Sequence, residues 1–149
     1  MTKAELREAL KQSMLARDTE RTSTLRMVVS ALGYYEIEKG GANYEATEQD
    51  VMDVLQKQVK QRRDSIEQFT AGGRDDLVAK EKQELSYIES YLPAQMGEEE
   101  ITKLVDEAIA ATGASSAQDM GKVMGALMPK TKGKADGGLV SRIVKEKLQ

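Results

Sequence analysis

The chain has 149 residues, of which 40% are hydrophobic and 32% charged, and its formal net charge is −3. Cysteine and histidine are both absent, which excludes disulfides, argues against zinc sites and rules out Ser-His and Cys-His catalytic pairs. Because aromatic residues make up only 4% of the chain, we expect an aliphatic core built from helices.

The spacing of apolar residues over positions 1–93 predicts four helices. Thr47 and Asp50 form a capping-box pattern at the expected start of the third helix. Glycine pairs mark two helix ends, at Gly40–Gly41 for the second helix and at Gly72–Gly73 for the third. Positions 1–93 are therefore predicted to form an N-terminal helical domain.

Three shorter helices are expected in positions 94–149. Gly113 is predicted to cap the end of the fifth helix, Pro129 to end the sixth, and Asp136 to cap the start of the seventh. The predicted fold class is all-α, with an N-terminal four-helix part (1–93) followed by a small C-terminal three-helix bundle (94–149).

The sixth helix carries two glycines and three methionines at helical spacing. Gly121 and Gly125 lie four residues apart on one face, which favours close helix packing over ligand access. The series Met120, Met124 and Met128 is interpreted as core filling rather than as a partner groove.

Charge is distributed unevenly over the C-terminal part. Positions 94–119 have a net charge of −5 and positions 120–149 a net charge of +5. Such asymmetry is typical of a nucleic-acid surface. Mutual attraction of the short helices explains it equally well.

Glycine next to lysine in this region raises the possibility of a phosphate loop. The G-x-x-x-x-G-K-[ST] pattern needs a glycine five residues before the Gly-Lys pair. That position is Met128 for Gly133–Lys134 and Ser116 for Gly121–Lys122, so the pattern fails for both pairs. Phosphate could instead meet the free amide groups at the start of the seventh helix, where the carboxylate of Asp136 would compete with it.

Two basic clusters are candidate contacts for a nucleic-acid backbone. An ordinary solvated loop or helix face is the alternative for both of them. The third-helix cluster also includes one arginine on the apolar stripe of that helix. The primary cluster is Lys122, Lys130, Lys132, Lys134 and Arg142, and the secondary cluster is Lys57, Lys60, Arg62 and Arg63.

Other kinds of site find little support. Platforms for stacking bases are scarce, and the candidates Tyr34, Tyr35, Tyr87 and Tyr91 are expected to be mostly half-buried at helix contacts. Acidic pairs are numerous, but none stands out as a catalytic dyad. We predict no catalytic residue, no metal ligand and no cofactor.

Three segments together resemble the YqeY family: KQVKQRRDSIEQFTAGGRDDLVAKEKQEL, YIESYLPAQMGEEEITKLVDEAIAATGA and ASSAQDMGKVMGALMPKTKGKADGGLVSRIVKE. The resemblance covers nearly the whole chain and implies an all-helical fold with a small C-terminal three-helix part. In that resemblance, related domains form the C-terminal tail of the B subunit of the glutamine-dependent tRNA amidotransferase. They are also appended to some glutaminyl-tRNA synthetases, where they help hold tRNA.

The resemblance and the basic C-terminal segment lead to one main hypothesis, a non-catalytic tRNA-associated module that contacts the tRNA backbone. One alternative is a protein-binding adaptor for an amidotransferase or a glutaminyl-tRNA synthetase, so the possible partners are tRNA, an amidotransferase or an aminoacyl-tRNA synthetase. Another is a contributor to carbon–nitrogen ligase activity with glutamine as amide donor, a label that would be inherited from the partner. No stretch approaches the ~18 apolar residues of a spanning helix, so we expect a cytoplasmic protein.

Overall fold

The computed structural model describes residues 1–149 and is helical throughout, which confirms the all-α prediction. The chain folds into two compact units, Met1–Leu92 (unit 1) and Pro93–Gln149 (unit 2). A single 3₁₀ turn, Ala117–Asp119, precedes the sixth helix. The helices are α1 (Lys3–Leu15), α2 (Thr19–Gly40), α3 (Glu48–Ala71), α4 (Asp75–Glu89), α5 (Glu98–Thr112), α6 (Met120–Thr131) and α7 (Gly137–Lys147).

Unit 1 packs α1 to α4 around an aliphatic core. Its most buried side chains include Leu6, Leu25, Val28, Leu55 and Ile88, which come from all four helices. Burial of these apolar groups is the main force that holds the helices together, because most of the stability of helices in proteins comes from packing of their apolar faces.

The connection between α2 and α3 is closed by a cluster around Asp50. Thr47 and Asp50 form the predicted capping box at the start of α3. The Asp50 carboxylate also accepts hydrogen bonds from Tyr35 (3.0 Å), Tyr44 (2.7 Å) and the ammonium of Lys39. The bond from Lys39, followed by those from Tyr44 and Thr47, lowers the pKa of Asp50 below its ordinary value.

Glycines make this connection possible. Gly40 is the last residue of α2, and a Cβ added there would lie 2.7 Å from the ring of Tyr44. Gly41 follows with φ = 79°, a backbone conformation that residues with side chains rarely adopt. The predicted end of α2 is therefore confirmed, and its glycines let the chain turn back onto the Asp50 cluster.

Unit 2 packs α5, α6 and α7 around a second aliphatic core. Gly113 caps the end of α5 in the left-handed conformation (φ = 67°), as predicted. Asp136 caps the start of α7 and accepts a hydrogen bond from the backbone N–H of Gly138 (2.9 Å), also as predicted. The core residues include Ile101, Val105, Val123, Leu127, Val140, Ile143 and Val144.

The predicted end of α6 at Pro129 is wrong, because the helix continues to Thr131. Pro129 has no backbone N–H to donate, but only two residues of α6 follow it. Two later bonds still close the last turn: the Thr131 hydroxyl donates to the Leu127 carbonyl (3.0 Å), and the Lys132 N–H donates to the Met128 carbonyl (3.0 Å).

Candidate nucleic-acid interface

Three of the predicted lysines lie at the end of α6 and in the turn that follows it. Over positions 130–135 the residues alternate between exposed and buried, with all three lysines, Lys130, Lys132 and Lys134, on the exposed side. The buried members include Gly133, whose φ of 80° turns the chain toward α7. The alternation places three positive charges on the solvent side of a short segment. We call these three residues the turn lysines.

The backbone of this turn is fixed by the segment that leads into α5. The side-chain amide of Gln95 donates to the Gly133 carbonyl (3.1 Å), and the Met96 N–H donates to the Lys134 carbonyl (2.7 Å). No ion pair joins any of the turn lysines to a carboxylate, unlike the other two predicted residues. The backbone of the turn is therefore fixed at Gly133 and Lys134, while the ammonium groups remain available to an anion.

Lys122 and Arg142 already have acidic neighbours. The ammonium of Lys122 lies 4.0 Å from Asp119, and the guanidinium of Arg142 lies 3.5 Å from Glu98 and 3.8 Å from Glu146. Exposed pairs of this kind are weak, so both cations can exchange partners. They offer less net positive charge than the turn lysines do.

The predicted close packing at Gly121 and Gly125 is wrong. Both glycines are exposed, and a Cβ added at either would meet nothing within 4 Å. Met128, predicted to fill the core, is 51% exposed, while Met120 and Met124 do pack against the core.

The exposed glycines belong to one face of α6. Gly121, Gly125, Met128 and Pro129 lie at positions i, i+4, i+7 and i+8, which share a helix face. We call this set the glycine strip. Because Gly121 and Gly125 carry no side chain, a ligand can approach the helix backbone closely at the start of this face. Lys122 lies near one end of the strip and the turn lysines at the other, roughly 12 Å farther along the axis.

The amide groups at the start of α7 are less available than the turn lysines. The Asp136 side chain occupies the N–H of Gly138, which is the competition predicted from the sequence. A phosphate at this helix start would also meet the carboxylate charge. We therefore exclude this helix start from the candidate interface.

The secondary cluster on α3 does not form one surface. Lys57 and Lys60 are exposed, and Arg63 is half-buried with its guanidinium 2.8 Å from Glu89. Arg62 is only 4% exposed and pairs inside unit 1 with Glu84 at 3.2 Å. Arg62 is therefore not part of a backbone-contact surface, and its position on the apolar stripe of α3 was the sequence signal for its burial.

The tyrosines behave mostly as expected. Tyr35, Tyr87 and Tyr91 are half-buried at helix contacts, and Tyr91 accepts a hydrogen bond from Nε of Arg21 at 2.9 Å. Tyr34 is the exception, with 74% of its surface exposed. Sequence reasoning did not single it out, although α2 carries apolar residues on two opposite faces, which is a sign of a second contact surface.

A family model described as "Yqey-like protein" matches residues 3–148. The chain belongs to the YqeY family. This confirms the resemblance drawn from the three sequence segments, and it covers both units of the fold.

Curated relatives come from yeasts and bear the name "Altered inheritance of mitochondria protein 41, mitochondrial". The Saccharomyces cerevisiae protein is 39% identical over 87 residues, which cover 58% of this chain and 46% of the relative. The Lachancea thermotolerans protein is 37% identical over 89 residues, which cover 60% of this chain and 46% of the relative. The Kluyveromyces lactis protein is 37% identical over 105 residues, which cover 68% of this chain and 56% of the relative.

The chain spans about half the length of the curated relatives that it matches. Their names refer to mitochondria, so the cytoplasmic location predicted for this YqeY-family chain stays a prediction. None of its seven helices combines the length and the apolar character needed to span a bilayer.

Proposed function

We propose that this YqeY-family protein is a non-catalytic module that holds tRNA by contacting its phosphate backbone through unit 2. The observation that supports the proposal most directly is the set of turn lysines, which are exposed, without carboxylate partners and mounted on a fixed backbone. Lysines in such a position attract phosphates and release the counterions that surround a nucleic acid.

The shape of α6 supports the same function. Gly121 and Gly125 leave the backbone of α6 uncovered on the part of the glycine strip beside Lys122. A sugar-phosphate backbone can therefore lie close to the helix and meet a positive charge at each end of the strip. Although the whole chain is acidic, positions 120–149 supply a net charge of +5 for this contact.

The test is binding of purified tRNA by gel shift at several salt concentrations. Lys130/Lys132/Lys134→Glu should weaken binding about tenfold or more at low salt, because phosphate contacts dominate affinity there. The matched control is Lys11/Lys82/Lys103→Glu, which makes the same charge change at three other exposed lysines. Circular dichroism should show that both triple variants remain helical.

If the Lys130/Lys132/Lys134→Glu variant binds tRNA as tightly as the wild type does, the proposed interface is wrong. If both triple variants lose affinity equally, the effect is one of overall charge. In that case the turn lysines are not a specific site.

A second candidate function is an adaptor that binds an amidotransferase or an aminoacyl-tRNA synthetase. The observation that favours it is the exposed Met128 beside Gly121 and Gly125, since small residues let a partner helix pack closely. An adaptor should co-purify with such a partner after nuclease treatment. Loss of the partner when RNA is removed would contradict this function and agree with the tRNA module.

A further inference from the structure

Helix α2 has a second apolar face that unit 1 does not cover. Leu25, Val28 and Leu32 are buried in the core on one side of the helix. Met27 and Tyr34, on the opposite side, are 49% and 74% exposed. Large apolar side chains that lie together on an uncovered face are typical of a surface that binds a ligand or a partner.

A groove of about 430 Å³ lies along this face, between α2 and α3. Met27 and Tyr34 are two helical turns apart, about 10.5 Å along the axis. The small residues Ser30 and Ala31 lie one turn from each of them and also line the groove. Neither has a side chain large enough to fill the space between the Met27 thioether and the Tyr34 ring.

The wall contributed by α3 is polar. Gln61 is exposed and lines the groove with a side-chain amide, which can donate to and accept from the edge of a base. Arg62 forms the end of this wall and is held by Gln58 (2.7 Å) and Glu84 (3.2 Å). Its Nε has no hydrogen-bond partner but is buried, so it is not presented to the groove.

Charge defines the two ends of the groove. Arg26 lines it beside Met27, is exposed, and has its guanidinium 3.6 Å from the sulfur of Met14. On the other side of Arg62 a neighbouring groove of about 420 Å³ is lined by Asp64 and Glu81. An anionic group is therefore directed to Arg26 and away from the acidic groove.

We infer that the groove between α2 and α3 binds a nucleotide, whose base stacks on Tyr34 and whose phosphate meets Arg26. The source is either a free nucleotide or an unpaired nucleotide of RNA. In the second case the inference rests on the proposed function and extends it from backbone contacts in unit 2 to a base contact in unit 1.

The experiment measures fluorescence anisotropy of labelled six-nucleotide single strands, A₆ and U₆, with the full chain. Tyr34→Ala removes the stacking ring, Tyr34→Phe keeps it, and Arg26→Gln removes the cation. Ile37→Ala is the matched control, because Ile37 is 63% exposed on the same helix and does not line the groove. AMP, UMP and inorganic phosphate are added as competitors.

Tyr34→Ala should weaken oligonucleotide binding about 5- to 150-fold, the range for one base stacked on an aromatic ring. Tyr34→Phe and Ile37→Ala should bind like the wild type, and Arg26→Gln should bind more weakly. Competition by AMP or UMP, but not by phosphate, identifies free nucleotides as ligands. Binding of the strands without such competition identifies RNA.

The inference is wrong if Tyr34→Ala binds as the wild type does, or if Tyr34→Phe loses as much as Tyr34→Ala. The inference is also wrong if neither the single strands nor the nucleotides bind. In that case the exposed apolar face of α2 is a surface for a protein partner. The Lys130/Lys132/Lys134→Glu variant separates the two proposals. If that variant binds tRNA normally while Tyr34→Ala weakens the strands, only the interface in unit 2 fails.

Discussion

The guanidinium of Arg62 lies 3.2 Å from the carboxylate of Glu84 and joins α3 to α4 inside unit 1. The two side chains are only 5% and 13% exposed. Gln58 accepts a second hydrogen bond from the same guanidinium at 2.7 Å. A buried charge held in this way depends on its partner, because removing one member leaves the other unpaired in a medium of low polarity.

Glu84→Gln should destabilise unit 1 by about 3 kcal/mol, since it leaves the Arg62 guanidinium buried without a counter-charge. All five tyrosines lie in unit 1 and tryptophan is absent, so urea unfolding followed by tyrosine fluorescence reports on this unit alone. Glu81→Gln, one turn earlier on α4, is the control and should change stability little. Equal stability of the two variants would show that the pair is not structural.

The burial of Arg62 shows which features could and could not be predicted from the sequence. Its position on the apolar stripe of α3 indicated that it faces the core. Its neighbours Lys60 and Arg63 indicated a basic surface. Glu84 decides between these readings, and it lies on another helix. Such a long-range pairing is not contained in local spacing.

Gly40→Ala should destabilise unit 1 by about 1–3 kcal/mol, because the added Cβ would overlap the base of the Tyr44 side chain. Gly33→Ala is the matched control within α2. A Cβ at Gly33 meets nothing within 4 Å, so this substitution should stabilise the helix by up to about 1 kcal/mol. Tyrosine fluorescence during urea unfolding measures both. Destabilisation of similar size in the two variants would contradict the packing explanation.

Acid should weaken unit 1 through Asp50. Hydrogen bonds from Lys39, Tyr44 and Thr47 lower the pKa of Asp50 in the folded chain, so below about pH 4 the unfolded chain binds a proton more readily. The stabilisation is complete above that pH and declines as the pH falls further. Unfolding of Asp50→Asn between pH 6 and pH 2 should depend less on pH than that of the wild type. Parallel curves would show that Asp50 makes no such contribution.

Gly125→Gln should raise the stability of α6 by about 0.5 kcal/mol and yet weaken tRNA binding several-fold. Glutamine is the better helix former, but its side chain would occupy the glycine strip where the RNA backbone is expected to lie. Amide hydrogen exchange of unit 2 and the gel shift measure the two effects. Ala110→Gln, which adds the same side chain at an exposed position of α5 in the same unit, should leave binding unchanged, and equal weakening by both would contradict the use of the strip.

Local signals predicted the helix ends well. The Thr47–Asp50 capping box, the left-handed Gly113 and the Asp136 cap each depend on residues within a few positions of one another. The role of Gly121 was predicted wrongly, because a glycine on a helix face fits both close packing and open solvent. Only the positions of α5 and α7 decide that question. The exposure of Tyr34 was likewise settled by the other helices of unit 1.

If the turn lysines contact tRNA phosphates, their removal should change the slope of log Kobs against log salt concentration for tRNA binding. The variant is Lys130/Lys132/Lys134→Ala, which removes three charges without adding any. Because each lost phosphate contact lowers the magnitude of the slope by about 1, the variant should have a slope smaller in magnitude by about 2–3 than that of the wild type. Equal slopes for the two proteins would show that the turn lysines do not contact the tRNA phosphates.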